Sequence, residues 1–326
     1  MLELVILMEV LMNDILHIVV PCYNEEEVIE NSIKVISEKL NQLIRSNKIS
    51  KKSKIVIVDD GSKDNTINIV KKLQLKNKFL MIIKLSRNFG HQFAMYAGIM
   101  ETRKNVDMII TMDADLQDDI NAIDDMIDEY YKGNEIVYGV RNNRDNDSWF
   151  KRNSALVFYK VMSFLGGEII NNHADFRLMS KRSLEELSRY EESNLFIRGI
   201  IPKLGFQTSK VYYKRLDRKA GSSKYNLRKM LGLAIDGITS FSIKPIRFII
   251  GIGIIFSFLS FIYLMYVIIS YFRGADVVNG WVTIIALVCF FGSFQIFCIG
   301  VIGEYISKIY LETKRRPKYI IDEIIE

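Results

Sequence analysis

Up to about residue 140, the chain alternates short apolar runs with longer segments whose apolar residues recur every three to four positions. Short, uninterrupted apolar runs are typical of strands buried in a parallel sheet, and the longer segments indicate amphipathic helices. The alternation therefore predicts an α/β domain of βαβ units with a mostly parallel, doubly wound sheet. The predicted strands are residues 15–21, 54–59, 80–85, 108–112 and 135–139, and the predicted helices are residues 26–44, 64–75, 92–103 and 120–131.

Beyond Gly139 the pattern is less regular, and it predicts a helix near residues 149–165 and a short strand near residues 176–179. Residues 226–247 are amphipathic and lead directly into a long apolar run. We therefore expect this segment to be a helix lying in a membrane interface. A plain helix packed on the domain is the alternative.

Two long runs without a charged residue, 248–272 and 277–303, follow this segment. At about 1.5 Å per residue, each exceeds the roughly 30 Å hydrocarbon core of a bilayer. Their short linker predicts a transmembrane hairpin, for which a buried hairpin of a soluble protein is the alternative. Because basic residues precede and follow the hairpin, we expect an integral protein of the cytoplasmic membrane whose large domain and C-terminus are cytoplasmic. Glycines within the runs suit close helix contacts, including contacts between protomers of a homo-oligomer.

Composition adds three limits to this picture. The chain of 326 residues has a formal charge of +6, and this excess clusters in membrane-proximal segments, which argues against nucleic acid as a partner. Its three cysteines have neither disulfide-framework nor metal-ligand spacing, and its three scattered histidines do not predict a histidine-based metal site. Residues 1–12 are apolar but contain Glu3 and Glu9, stop short of a span and lack the basic n-region and cleavage site of a signal peptide. We expect translation to begin at Met12, immediately before the first strand.

Two carboxylates, Asp113 and Asp115, directly follow the apolar strand 107–112. On an extended backbone both side chains leave the same face. Hard oxygen ligands at the carboxyl end of a sheet strand suit Mg²⁺ or Mn²⁺ that also binds substrate phosphates. The alternative is that these acids only cap a helix that begins near Asp118 and Asp119.

Polar loops also follow the three preceding strands. Tyr23 follows the first strand and can flank a base, and Asp60 follows the second and can accept a hydrogen bond from a base N–H. Arg87 follows the third strand and can face a base or a phosphate. Each residue alone has an ordinary alternative, such as turn chemistry for Asp60. Together with Asp113 they predict one crevice at the carboxyl edge of the sheet.

These motifs resemble those of inverting family 2 glycosyltransferases. The resemblance rests on Pro21-Cys-Tyr-Asn-Glu25, Asp59-Asp-Gly-Ser62, Asp113-Ala-Asp115 with Gln117, and Arg218-x-x-Gly-x-Ser-Lys-Tyr225. The chain is similar, more narrowly, to the polyprenyl-phosphate hexosyltransferases, relatives of dolichol-phosphate mannose synthase and bactoprenol glucosyltransferase. Ser86–Gly90, His173–Met179 and the segment from Gly303 to Tyr319 resemble the bacterial branch with two spans. The match extends from Asn13 to Ile321.

The resemblance implies a glycosyltransferase A-type (Rossmann-like) fold, a nucleotide sugar donor and a divalent ion, Mg²⁺ or Mn²⁺. It implies that the metal and diphosphate are held by Asp113, Asp115 and Gln117. The nucleotide sugar would contact Pro21, Tyr23, Glu25, Asp60, Arg87, Asp113, Ala114, Asp115, Arg218 and Lys224.

The reaction expected from this resemblance is displacement at the anomeric carbon by an oxygen of polyprenyl (undecaprenyl) phosphate, with inversion. Arg141 and Arg152 are our candidates for binding the acceptor phosphate, because guanidinium groups match phosphate geometry. Asp175 lies where related enzymes are thought to place a base, although pairing with Arg177 would make it purely structural. UDP-linked glucose or N-acetylglucosamine is the expected donor.

Two other functions remain open at this point. A processive polysaccharide synthase of the same fold would carry Gln-x-x-Arg-Trp, whereas Gln42-Leu-Ile-Arg45 is followed by Ser46 and lies on the first predicted helix. A non-catalytic membrane subunit that binds nucleotide sugars is the other alternative. The predicted segments are an extension (1–12), the catalytic domain (13–225), the juxtamembrane helix (226–247), two spans (248–272 and 277–303) and a cytoplasmic basic tail (304–326).

Overall fold

The computed structural model describes residues 13–142, 173–192, 197–214, 244–273 and 280–326. The chain divides into two compact units. The first comprises Met1–Tyr159, Glu168–Tyr225 and Arg316–Glu326, and the second comprises Lys160–Gly167 and Asn226–Arg315. The last residues of the chain thus belong to the first unit, although the second unit precedes them in sequence.

The first unit is built on one sheet, in which eight strands are described in the order β7-β5-β6-β4-β1-β2-β3-β8. Strands β1 to β4 are parallel to one another, β6 is antiparallel to both β4 and β5, β7 is parallel to β5, and β8 is antiparallel to β3. The strands are β1 (Leu16–Cys22), β2 (Lys54–Asp59), β3 (Leu80–Leu85), β4 (Met108–Thr111), β5 (Ile136–Arg141), β6 (His173–Ser180), β7 (Thr208–Tyr213) and β8 (Ile321–Ile325).

Six α-helices are described in this unit, together with 3₁₀ helices at Arg103–Asn105 and Ile201–Leu204. The α-helices are α1 (Ile29–Arg45), α2 (Thr66–Gln74), α3 (His91–Thr102), α4 (Ala122–Tyr131), α5 (Lys181–Ser188) and α6 (Ile197–Ile200). Alternate residues of each central strand point to opposite faces. On one face Leu16, Ile18 and Val20 join a core with apolar residues of α1 and α4. On the other face α3 approaches so closely that a Cβ atom at Gly98 would lie 2.4 Å from Val19 Cγ1.

The predicted α/β fold with a mostly parallel sheet is confirmed. The first predicted helix starts late, because Asn24 has a positive φ of 53° and Glu25–Val28 form a turn, so that the regular helix begins at Ile29. The strand near 176–179 is longer than predicted, and its insertion between β4 and β5 was not foreseen. The helix predicted near 149–165 lies outside the described residues.

The second unit contains two long apolar helices, α7 (Lys244–Phe272) and α8 (Trp281–Thr313). Both are long and apolar enough to cross a membrane, over Ile246–Tyr263 and Phe290–Thr313. The ring of Phe256 on α7 packs edge-on against three aromatic rings of α8, at centroid distances of 5.6 to 6.2 Å. Helix α8 continues beyond residue 303, where the predicted span ends. Most of the predicted interfacial helix, residues 226–243, lies outside the described residues.

The end of the chain is not only a tail. Strand β8 pairs with β3, the outermost of the parallel strands, between Ile82–Leu85 and Ile321–Ile325. Before it, the Tyr319 hydroxyl donates to Glu101 at 2.7 Å and Lys318 donates to the Tyr190 carbonyl at 2.7 Å. Residues predicted as part of a basic tail (304–326) therefore complete the sheet of the first unit.

His17 on β1 is a buried titratable group whose Nδ1 atom has no hydrogen-bond partner among the described residues. Burial, and secondarily the charge of Lys54, lower the pKa of His17 to about 4. The unfolded chain has a His pKa near 6.5, so it binds the proton first as the pH falls. His17 therefore leaves the free energy of unfolding unchanged above pH 6.5 and lowers it as the pH falls towards 4. At pH 5 this decrease is about 2 kcal/mol.

We therefore expect the wild-type protein to lose more thermal stability between pH 7.5 and pH 5 than His17→Gln does. Melting curves of both proteins over this range measure the difference, because carboxylates that titrate in the same interval contribute equally to both. Parallel stability–pH curves would contradict the assignment.

Candidate functional site

The carboxyl ends of β1 to β4 meet at one edge of the sheet, as parallel strands require. The loops that follow them carry Tyr23, Asp60, Arg87 and Asp113, the residues predicted from the sequence to share a crevice. The inserted strand β6 brings Asp175 to the same edge, because it pairs with β4 through Thr111 and Arg177. Strands β4 and β6 therefore bring Asp113 and Asp175, which are far apart in the sequence, to the same edge of the sheet.

Three side chains at this edge form a group that can bind a metal ion: His91, Asp113 and Asp175. Their ligand atoms all lie within 4.8 Å of one another. The His91 Nε2 atom lies 3.4 Å from Asp113 Oδ1 and 3.5 Å from Asp175 Oδ2. His91 is the first residue of α3, and Gly90 before it has a φ of 99° that turns the chain into the helix.

Asp113 carries unfavourable negative charge in this group. Burial raises its pKa, the charges of Asp175, Asp118 and Asp115 raise it further, and the charge of His91 opposes them. The Asp113 Oδ1 atom is buried without a hydrogen-bond partner among the described residues. An unsatisfied carboxylate among further carboxylates and an imidazole fits a divalent cation.

Asp175 is held by two arginines. Arg177, which is fully buried, donates Nη2 to Asp175 Oδ1 at 2.5 Å. Arg198 binds the carboxylate in a bidentate manner, from Nε at 2.8 Å and from Nη2 at 2.6 Å. Burial alone raises the pKa of Asp175, but the hydrogen bonds from Arg198 and His91 and the charge of Arg177 hold it well below its usual range. Such a carboxylate is a poor base and a good electrostatic anchor.

The remaining predicted metal ligands lie beside this group. Asp115 Oδ1 accepts from the Gln117 backbone N–H at 3.2 Å, across Leu116, which has a positive φ of 52°. Gln117 is buried, as is Ala114, whose carbonyl accepts from the Ser32 hydroxyl at 2.5 Å. These contacts shape the loop after β4, and metal binding by Asp115 and Gln117 stays a prediction.

The predicted nucleoside side of the crevice is formed by the loops after β1 and β2. Pro21 lies within β1, Tyr23 is exposed, and the Glu25 backbone N–H donates to the Thr66 hydroxyl at 2.9 Å. Asp60 is buried, and its two oxygens accept from the Phe89 and Gly90 backbone N–H groups at 2.7 and 2.9 Å. Asp60 therefore orders the loop that leads to His91, and base recognition by Asp60 remains a prediction.

The loop after β3 lies tightly against the loop after β2. A Cβ atom at Gly61, where φ is 69°, would lie 2.5 Å from the Arg87 carbonyl carbon, so only glycine fits there. The Arg87 side chain is exposed, with its guanidinium carbon 4.0 Å from the centre of the Phe89 ring. It is thus stacked at the rim of the crevice.

Arg141, predicted to bind the acceptor phosphate, ends β5 and is partly buried. Its Nε and Nη2 atoms donate to Asp118 Oδ1 at 3.1 and 2.8 Å. The Tyr213 hydroxyl donates to the same oxygen at 2.6 Å.

The other predicted site residues, Arg152, Arg218 and Lys224, lie outside the described residues. Sequence reasoning missed His91, Arg198, Tyr213 and a polar role for Asp118 within the crevice. His91 had a usable signal, because it follows the polar loop Ser86–Gly90 after a predicted parallel strand. Arg198 had none, because it lies on a four-residue helix whose position depends on the inserted strand.

The chain matches two described families. Residues 17–188 match "Glycosyl transferase family 2", and residues 244–309 match "GtrB C-terminal hairpin". The second match coincides with the two apolar helices.

Among similar proteins, "Uncharacterized glycosyltransferase YkoT" of Bacillus subtilis is 49% identical, over 94% of this chain and 91% of the relative. "Bactoprenol glucosyl transferase" of Shigella phage SfV is 38% identical, over 93% and 97%. Among solved structures, glucosyl-3-phosphoglycerate synthase of Mycobacterium tuberculosis, in complex with Mn²⁺, UDP and phosphoglyceric acid, has a TM-score of 0.48 at 15% identity, covering 69% of this chain and 76% of that one.

Proposed function

The chain belongs to glycosyl transferase family 2, and we propose that it transfers a sugar from a nucleotide sugar to polyprenyl phosphate at a membrane surface. The observation that carries the proposal is the charged group around His91, Asp113 and Asp175 in a chain that also has two apolar helices. The relatives named bactoprenol glucosyl transferase support a lipid carrier as acceptor. Their name also makes glucose the first sugar to test.

In the proposed reaction, an oxygen of the acceptor phosphate attacks the anomeric carbon. A carbon–oxygen bond to the acceptor forms, the bond to the nucleoside diphosphate breaks, and the configuration inverts. A phosphate monoester has a second pKa near 6, so the nucleophile is already an oxyanion at neutral pH. No strong base is needed, and the low pKa of Asp175 is compatible with this reaction.

We infer that Asp175 keeps Arg177 and Arg198 in place at the reacting edge, instead of removing a proton. The Arg198 guanidinium is partly exposed and lies close enough to His91 to affect its pKa. It is therefore a candidate to counter the charge that develops on the leaving diphosphate.

A divalent ion bound here would supply Lewis-acid stabilisation of that diphosphate. Asp113, Asp175 and His91 are the residues that would hold it, with Asp115 and Gln117 beside them as predicted. Carboxylates suit both Mg²⁺ and Mn²⁺, and the imidazole favours the softer Mn²⁺.

The apolar helices α7 and α8 suit a membrane anchor that keeps the catalytic unit near an acceptor whose isoprenoid lies in the bilayer. Anchoring would raise the effective concentration of enzyme and acceptor for each other. As predicted from the flanking basic residues, we place the catalytic unit and the C-terminus on the cytoplasmic side. A homo-oligomer remains part of this proposal.

The proposal is tested with the full-length protein in lipid nanodiscs that contain undecaprenyl phosphate. Radiolabelled UDP-glucose, UDP-N-acetylglucosamine and GDP-mannose are supplied separately with Mn²⁺, and label in an acid-labile lipid is measured. Asp128→Asn is the matched control, because Asp128 is an exposed acid on α4 that binds Lys48.

We expect one donor to label the lipid in the wild-type and control proteins. Label in a polymer would instead support a processive synthase. Nucleotide sugar binding without any transfer would support a non-catalytic subunit.

A further inference from the structure

Asp118, Arg141 and Tyr213 form one hydrogen-bonded group, although they come from three different parts of the sheet. Arg141 at the end of β5 and Tyr213 at the end of β7 are register partners, and Asp118 reaches them from the loop after β4. Asp118 Oδ1 accepts two hydrogen bonds from Arg141 and one from Tyr213. The Tyr213 ring packs edge-on against Phe176, with centroids 5.4 Å apart.

We propose that Asp118 and Tyr213 are positioning residues, which hold the Arg141 guanidinium in the orientation that receives the acceptor phosphate. This inference rests on the proposed function, because it assumes an acceptor with a phosphate group. It adds two residues that do not themselves touch the substrate.

The proposal explains why a phosphate-binding arginine is paired with an acid. The carboxylate of Asp118 offsets much of the charge of Arg141, so attraction at long range is not what the pair provides. Two donors of a planar guanidinium fixed on one oxygen instead define the direction of the remaining N–H groups. A side chain ordered before binding loses less entropy when the phosphate arrives.

Tyr213 fixes the position of the acid in turn. Burial, and then the charge of Asp118, raise the pKa of the Tyr213 phenol, so its hydroxyl keeps the proton that it donates to Asp118. Asp118 Oδ2 is buried and has no hydrogen-bond partner among the described residues. A group placed only for stability would satisfy both oxygens, so this arrangement favours a role in the crevice.

The test is steady-state kinetics of the full-length enzyme, with acceptor and donor varied separately. We expect Tyr213→Phe to raise the KM for polyprenyl phosphate about fivefold and Asp118→Asn to raise it about tenfold or more. The kcat and the donor KM should change less than twofold. Asp128→Asn again serves as the control, and melting temperatures of all variants show whether they fold.

A double-mutant cycle separates positioning from independent effects. If Asp118 acts through Arg141, adding Asp118→Asn to Arg141→Ala raises the acceptor KM no further. The inference would be overturned if the increases in acceptor KM caused by the two substitutions multiplied in the double variant. Equal changes in donor and acceptor KM would overturn it as well. If Asp118→Asn does not fold, the cycle of Tyr213→Phe with Arg141→Ala provides the same test.

The failure of the proposed function can be told apart from the failure of this inference. Wild-type enzyme that transfers nothing to polyprenyl phosphate contradicts the proposed function itself. Active enzyme in which the effects of the two substitutions multiply contradicts only the positioning role.

Discussion

Replacing Asp113 with asparagine is expected to lower turnover about a thousandfold or more while raising the melting temperature of the metal-free protein. The loss follows because Asp113 is the central acid of the candidate metal group. The gain follows because Asp113 Oδ1 is buried without a hydrogen-bond partner among the described residues, and three other carboxylates repel its charge more than the nearby His91 offsets. Removing that repulsion should contribute about 1 kcal/mol, or a few degrees in melting temperature.

The measurement compares melting temperatures with EDTA and with Mn²⁺. An ion that binds only the folded state raises the melting temperature, so Mn²⁺ should stabilise the wild-type protein and Asp128→Asn but not Asp113→Asn. A lower melting temperature of Asp113→Asn in EDTA would mean that this carboxylate is structural. Asp175→Asn provides the contrast, because it leaves the buried Arg177 unpaired and should lose both activity and stability.

The parallel half of the fold could be predicted because each of its strands is marked by a local pattern. Strands β1 to β4 are short apolar runs separated by helices, and helical connections of that kind produce parallel strands. The sequence could therefore predict that the acids after these strands, such as Asp60 and Asp113, lie at the same edge of the sheet.

The other half depends on long-range pairing that no local pattern specifies. The sequence predicts only a short strand near residues 176–179, whereas β6 spans His173–Ser180 and inserts between β4 and β5. The sequence does suggest a pairing of Asp175 with Arg177, because the two residues are two positions apart in the chain. The sequence gives no signal for Arg198 and Tyr213, because their contacts with Asp175 and Asp118 depend on the full strand order of the sheet.

The C-terminal strand was missed for a different reason. Residues 314–318 contain four basic residues, so the segment after the second apolar helix was interpreted by its charge. The alternation in Ile321–Ile325 is short, and acids occupy its middle. Those acids lie opposite lysines on the first unit, as in the contact of Lys71 with Glu323 at 2.6 Å.

Removing residues 319–326 is therefore expected to destabilise the first unit, although these residues follow both apolar helices in sequence. The truncation removes the β8 ladder, the packing of Ile325 against the core and the Tyr319 contacts. We expect the free energy of unfolding to fall by about 3 kcal/mol or more, which corresponds to a fall of about 10 °C in melting temperature. The truncation also leaves β3 as an open edge of the sheet, so the truncated protein should aggregate on heating.

A matched variant separates strand pairing from charge. Asp322→Asn, Glu323→Gln and Glu326→Gln together remove the ion pairs with Lys84, Lys71 and Lys54 but keep the backbone ladder. Exposed ion pairs contribute little, so the melting temperature of this triple variant should fall much less than that of the truncated protein. Equal losses in the two proteins would mean that the tail is held by charge alone.

The truncation should also lower turnover, because the tail contacts the helix that begins with His91. On α3, the Tyr96 ring packs edge-on against the Tyr319 ring with centroids 6.3 Å apart, and Glu101 accepts from the Tyr319 hydroxyl. Tyr319→Phe keeps the ring and loses only that hydrogen bond, so it should retain both turnover and β8. If the truncated protein melts like wild type, β8 does not pair with β3 in solution, and the end of the chain is the tail that its charge first indicated.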